Sequence, residues 1–234
     1  MSGLTAGYGE RTITPPLGVD LAGYGFYLGR RAASVLDDLK CRAVHLRAGD
    51  KALLLVSCDI IGFTVGEADA ARTAIAAAHG LPREAVLLAA THTHGGPATQ
   101  PMRGLGEVDP AYMDRLRALI LQAASEAVAS PLPAELSYAL EAIEPLGYNR
   151  RKKDFSGVDP VLKAVLLRRP DHTLYLLSYA CHAVVFGRKS HVSADWPGAV
   201  VREIEKGGDR AVFFQGFCGD IDPVIQMNRW GEGT

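Results

Sequence analysis

The sequence predicts an α/β fold, a mixed β-sheet with flanking helices whose chemistry sits in loops at strand ends. Three observations lead there. Short apolar runs alternate with alanine-rich stretches of helical spacing. Gly, Pro, Asn and Asp punctuate the junctions. Histidines and paired acids fall just beyond the apolar runs, where α/β proteins place their sites.

The chain opens with a Gly/Pro-rich stretch, Ile13-Thr14-Pro15-Pro16-Leu17-Gly18, leading to Ala22-Gly23-Tyr24-Gly25, and this is read as loop. Residues 41–46 and 52–56 are strands joined through Gly49-Asp50, a hairpin turn signal. Cys58 and Asp59 close the second of them. Residues 67–79 read as a helix with Gly80 as its C-cap. Residues 85–90 are a continuous apolar run, as in a strand covered on both faces. A second helix spans 110–129 and stops at Ser130-Pro131. Strands follow at 136–143, 161–167 and 174–179. A short helix over 199–205, opened by Pro197 and closed by Gly207-Gly208, leads to a last strand at 211–214. There is no sequence repeat, low-complexity tract or linker, so residues 1–234 are read as one domain. Arg151, Lys152 and Lys153 form a basic loop, read as a solvated turn.

Lys plus Arg (25) nearly cancels Asp plus Glu (26), which leaves no broad field for nucleic acid or an anionic membrane. A small neutral or lipid-like substrate fits better. The four cysteines, Cys41, Cys58, Cys181 and Cys218, are widely spaced, as expected of reduced thiols. The N-terminus has neither a basic stretch nor an apolar core, and no later run is long enough to span a bilayer. A cytoplasmic chain without an integral membrane segment is the expectation.

The strongest chemical signal is Thr91-His92-Thr93-His94-Gly95-Gly96-Pro97. In an extended chain His92 and His94 point to one side, about 6.6 Å apart at Cα, so both imidazoles can serve one ion or one substrate. The glycines leave room for a ligand at the backbone. Tyr179-Ala180-Cys181-His182-Ala183 ends another strand, and His182 is the natural third histidine of a zinc site. His191 lies in a polar loop and is weaker. Asp195, beside Pro197, fits a helix-capping role and a site role equally well. Gly216-Phe217-Cys218-Gly219-Asp220-Ile221-Asp222-Pro223 offers backbone N–H groups and two carboxylates, or an ordinary Asx turn. An apolar setting beside Phe217 would leave Cys218 inert rather than nucleophilic.

Together these segments resemble the neutral/alkaline non-lysosomal ceramidase family. Ala6-Gly7-Tyr8-Gly9, Ile13-Thr14-Pro15 and Gly23-Tyr24-Gly25 look like its opening. Ser57-Cys58-Asp59, the HTH-x-GP segment, Asn149-Arg150, His182, Ser193-Ala194-Asp195 and Gly219-Asp220-Ile221-Asp222-Pro223 follow in its order. The resemblance implies a zinc-dependent amidohydrolase that cleaves N-acylsphingosine or another small amide or ester with a zinc-activated water. It makes His92 and His182 the ligands and turns His94 to the substrate or the water, where spacing alone would make both histidines of the pair ligands. It places Gly95, Arg150, Asp195, Gly219 and Asp220 around the substrate. It also implies a Glu and a Tyr ligand beyond Thr234, so that this chain is incomplete at its C-terminus, binds zinc weakly by itself and leaves an apolar patch uncovered. A second copy or a partner chain is an open source of the missing ligands. Three rivals stay open: an amidohydrolase barrel, for which the βα units are too few; a Cys-His hydrolase using Cys218 or Cys181; and a non-catalytic binding module that keeps the fold.

Overall fold

The computed structural model describes residues 3–25 and 29–225. In chain order the strands are β1 (Leu4–Thr12), β2 (Ser34–Val35), β3 (Lys40–Ala48), β4 (Lys51–Cys58), β5 (Val86–Ala90), β6 (Leu132–Pro133), β7 (Glu135–Ala142), β8 (Gly147–Asn149), β9 (Val161–Arg168), β10 (Thr173–Tyr179), β11 (His191–Val192), β12 (Arg210–Gln215) and β13 (Ile221–Pro223). The α-helices are α1 (Val65–His79), α2 (Pro110–Ala129) and α3 (Asp195–Glu205).

Two sheets carry the molecule, one ordered β5-β4-β3-β1-β6 and the other β12-β10-β9-β7. Each has a single parallel pair, β4 with β5 and β10 with β12, and each of those pairs is bridged in sequence by a helix, α1 or α3. All other pairings within the two sheets are antiparallel. The series β1-β3-β4-α1-β5 is thus repeated as β7-β9-β10-α3-β12. Sequence shows no such repeat, because what recurs is pairing order, and different residues satisfy it.

Strand alternation sorts the apolar side chains into three layers of core. Cys41, Ala43, Leu54, Val56, Cys58 and Val86 face α1 and α2. Ala6 and Val44 meet Leu167, Leu174, Leu176 and Val212 between the sheets. Leu177, Tyr179, Ala211 and Phe213 pack under Val201 of α3. The result is a four-layer sandwich, helices outside two face-to-face sheets. The Ser57 hydroxyl ties the sheets together by donating to Phe213 O at 2.6 Å.

Local signals explain the helix limits. Thr64 caps α1 by accepting from Glu67 N at 3.1 Å, and Gly80 closes it in the left-handed region, φ 62°. Asp109 caps α2 through Tyr112 N at 2.8 Å, with Pro110 in the first turn. Tyr112, Leu116, Ile120, Ala123 and Ala127 form its buried stripe. That stripe lies directly on β1, where a Cβ at Gly7 would come 1.8 Å from Ala127 O and one at Gly9 2.2 Å from Ala123 O. This strand does not read as a strand in the sequence because two of its helix-facing positions are glycine. The third helix starts at Asp195, earlier than residue 199, with Pro197 accommodated in its first turn.

The turn at Gly49-Asp50 joins β3 to β4, as its dipeptide predicts, with Gly49 at φ 63°. Among the described residues no helix is long and apolar enough to cross a membrane. Along β7, Leu136, Tyr138 and Leu140 stand 53%, 74% and 63% exposed on one face of an edge strand. They continue the inter-sheet layer past the point where the other sheet ends.

Candidate metal centre

The C-terminal ends of β5, β10 and β12 meet because β12 lies beside β10 in one sheet and against β4 and β5 of the other. Gln215 at the end of β12 donates to Thr91 O at 3.0 Å, and Thr93 bridges to Ala183 in parallel. His94 N donates to Ala183 O at 3.2 Å and His182 N to Ile221 O at 2.8 Å. Three loops are thereby sewn together by their backbones before any side chain is considered.

The extended geometry expected through the histidine pair is not what forms. His92 sits at φ 62°, in the left-handed region uncommon for a residue with a side chain, and its N–H turns back to Ile60 O at 3.1 Å. The turn still brings the imidazoles together. The rings of His92 and His94 lie 4.9 Å apart between centroids, His92 and His182 4.9 Å, and His94 and His182 5.4 Å.

Their hydrogen bonds fix which nitrogen is free. His92 Nδ1 lies 2.7 Å from Ile61 O and His182 Nδ1 2.6 Å from Cys218 O. A carbonyl can only accept, so each Nδ1 carries the proton and each Nε2 keeps a lone pair. This is the outer-shell arrangement that orients metal-bound histidines. His94 Nε2 stands 3.3 Å from His92 Nε2, while His94 Nδ1 is buried without a hydrogen-bond partner. Burial, with His92 and His182 alongside, holds the His94 pKa well below the ordinary imidazole value, and burial lowers that of His182 as well. Converging lone pairs are matched by a metal cation. Cys218 joins them: one ligand atom each from His92, His182 and Cys218 lie within 4.8 Å of one another, so the cluster can hold a metal.

Packing behind His94 comes from a segment whose part in the site the sequence does not disclose. Gly23, at φ 109°, leaves no room for a side chain, since a Cβ there would come 2.4 Å from His94 Cγ. Tyr24 meets the ring edge-on at 5.1 Å, and Arg30 Nη2 donates to His94 O at 2.5 Å and to Ala22 O.

The remaining expected site residues divide by position. Arg150 Nη2 donates to Gly219 O at 2.7 Å, Nη1 reaches Asp222 Oδ1 at 3.4 Å, and Arg150 N donates to Asp220 O at 2.8 Å. This clasp between β8 and β13 lies beside Cys218 and leaves the Arg150 side chain 44% exposed. Gly95 instead packs on a neighbour: a Cβ there would come 2.7 Å from Ser193 O, so the room expected for a ligand is filled by protein. Asp195 does not act as the N-cap, a position held by Ala194 without a side-chain bond. Its buried carboxylate accepts from Val185 N at 3.0 Å, Trp196 N at 2.8 Å and Phe186 N at 3.2 Å, bracing the loop after His182. Burial raises its pKa. His191 lies outside the cluster, against Ser34 Oγ at 2.5 Å. Phe217 is fully exposed, so the burial that raises the Cys218 thiol comes from the rest of the fold.

No protein-family model and no curated protein matches the sequence. Solved structures do. The neutral ceramidase of Pseudomonas aeruginosa superposes with a TM-score of 0.86 at 21% identity over 97% of this chain. The chain has a neutral-ceramidase fold. A second structure, a ceramidase complexed with C2, gives a TM-score of 0.85 at 21% identity over 95% of the chain. The chain spans only 40% and 39% of the lengths of these ceramidases, so the likeness covers a part of each.

Proposed function

We propose that this ceramidase-like chain is the metal-bearing part of a zinc-dependent amidohydrolase acting on an N-acylsphingosine-like substrate, or on another small amide or ester. The observation that supports it most is the convergence of His92, His94 and His182, with two Nε2 lone pairs fixed inward by backbone carbonyls. In this reading His92 and His182 hold zinc. Zinc in such a site lowers the pKa of bound water towards neutrality and polarises a scissile carbonyl.

The reading assigns the protein's own side chains the following parts. His94, its ring 4.9 Å from that of His92 and 5.4 Å from that of His182, is the group assigned in this reading to pass a proton to the leaving amine. Arg150, half-exposed beside Gly219 and Asp220, is placed to hold a polar group of the substrate at the rim. Gly95 and Asp195 shape the pocket from behind by keeping the Ser193 and Val185 backbones in place. A thiol mechanism is disfavoured, because burial pushes Cys181 up to about 12 and raises Cys218 too, leaving little thiolate at neutral pH.

Metal analysis of the purified chain is the test. Zinc titrated into the purified chain should bind weakly, and that binding should be lost in both His92→Ala and His182→Ala with the circular dichroism spectrum retained. Undiminished zinc in either variant would sink the assignment.

A further inference from the structure

We propose that Cys41 and Cys58 are a cross-strand disulfide pair, closed by exchange with a small disulfide such as oxidised glutathione. The inference is independent of the metal reading. The two cysteines lie far apart in sequence, but β3 and β4 set them directly opposite each other. Opposed residues of an antiparallel ladder alternate between hydrogen-bonded and non-hydrogen-bonded pairs, and the side chains are closer in the latter. The turn at Gly49-Asp50 starts this ladder with a hydrogen-bonded pair, Ala48 with Lys51. Counting back by twos reaches Lys40 with Asp59, and Asp59 N donates to Lys40 O at 2.9 Å. Cys41 and Cys58 therefore take a non-hydrogen-bonded position, where Cα atoms stand about 4.5 Å apart, within the roughly 4.4–6.8 Å that a disulfide spans. Opposed side chains share a face of the sheet, and both of these are fully buried in the layer under α1 and α2.

That burial decides when the bridge closes. Hydrogen bonding with Cys41, and then burial, hold the Cys58 thiol well above its ordinary pKa, so the closed fold offers little thiolate. Exchange therefore runs when this end of the hairpin opens to solvent. One cysteine thiolate attacks the small disulfide and expels one small thiol, leaving a mixed disulfide on the protein. The second thiolate attacks the protein sulfur of that bond and expels the other small thiol. Two protein thiols are oxidised, the small disulfide is reduced, and both protons finish on the released thiols. The bridge fastens the end of β4 that leads to the histidine cluster. Cys58 O accepts from Thr91 N at 2.9 Å, Ile60 O from His92 N at 3.1 Å, and Ile61 O from His92 Nδ1 at 2.7 Å.

The test incubates the reduced chain with oxidised glutathione in urea below its unfolding midpoint, then alkylates the remaining thiols and maps the peptides by mass spectrometry. The free energy of opening falls as urea rises, so the loss of both thiols should quicken with urea. The Cys41 and Cys58 peptides should be recovered joined to each other, with Cys181 and Cys218 outside the bridge. Cys41 and Cys58 both alkylated at every urea concentration overturns the proposal. Glutathione retained on either one without closure, or either one joined to Cys181 or Cys218 instead, overturns it equally.

Discussion

The two halves of the molecule repeat one series of elements but bury it to different depths. In the first, α2 lies across β1 and β3 in addition to the crossover helix α1. In the second, among the described residues, α3 alone covers the sheet, and every residue of the corresponding outer strand, β7, is exposed. The strand ends differ as well. The first half follows β4 with Asp59, paired with Arg42, and follows β5 with His92. The second follows β10 with His182 and β12 with Cys218. Each half contributes one imidazole whose Nδ1 is fixed by a carbonyl, so the cluster that could hold a metal belongs to neither alone. A repeated frame therefore supports a site whose parts are not repeated.

The largest expected loss of stability in this comparison comes from the Arg42–Asp59 pair of the first half, in which both side chains are buried. Arg42, with its side chain 7% exposed, binds Asp59 at 3.2 Å and Glu10 at 2.9 Å. Burial raises the pKa of Asp59, and the Arg42 guanidinium opposes that rise. Arg42→Met leaves the carboxylate buried without its cation, and should cost about 3–5 kcal/mol in denaturant unfolding. A loss below about 1 kcal/mol would show the pair to be dispensable and the halves more alike than their charges suggest.

Acidity tests the shared cluster. The pKa values of His94 and His182 are lowered by burial, so both stay neutral in the fold while the unfolded chain takes up protons below about pH 6.5. The unfolded state then binds more protons, and stability rises with pH. The metal-free chain should hold its full stability above about pH 7 and lose it progressively as acid is added towards the folded-state values. His94→Gln should flatten that slope, with His182, His172 and His45, each lowered by burial, leaving a remainder. A slope unchanged by His94→Gln would show that this imidazole is not buried as described.

How much of this was legible in sequence depends on what each residue does. The strands β5 and β10 announce themselves as apolar runs, and the HTH-x-GP segment after β5 marks the site because so much chemistry is packed into few residues. The first strand is hidden, since Gly7 and Gly9 carry its contact with α2 through the absence of side chains. Gly23 works the same way behind His94. The place of Cys218 depends on the parallel register of β10 with β12, which no local pattern encodes. Asp195 looked equally suited to cap and site, and the structure gives it a bracing role across the loop at Val185 and Phe186.

The smallest expected effect lies on β7, and it gains meaning from its counterpart β1. Gly7→Ala would drive a methyl to 1.8 Å from a backbone oxygen of α2, a contact relieved only by shifting the helix. Such overpacking typically costs about 1–3 kcal/mol. On β7, Tyr138 is 74% exposed beside Leu136 and Leu140 on the same face. Tyr138→Thr keeps a β-favouring residue and removes little buried surface, so the chain of 234 residues should change in stability by no more than about 0.5 kcal/mol. Paired thermal or urea unfolding of the two variants checks the contrast. If Tyr138→Thr proved as damaging as Gly7→Ala, β7 would be covered in solution by protein surface beyond its own sheet, and the two halves would be buried alike.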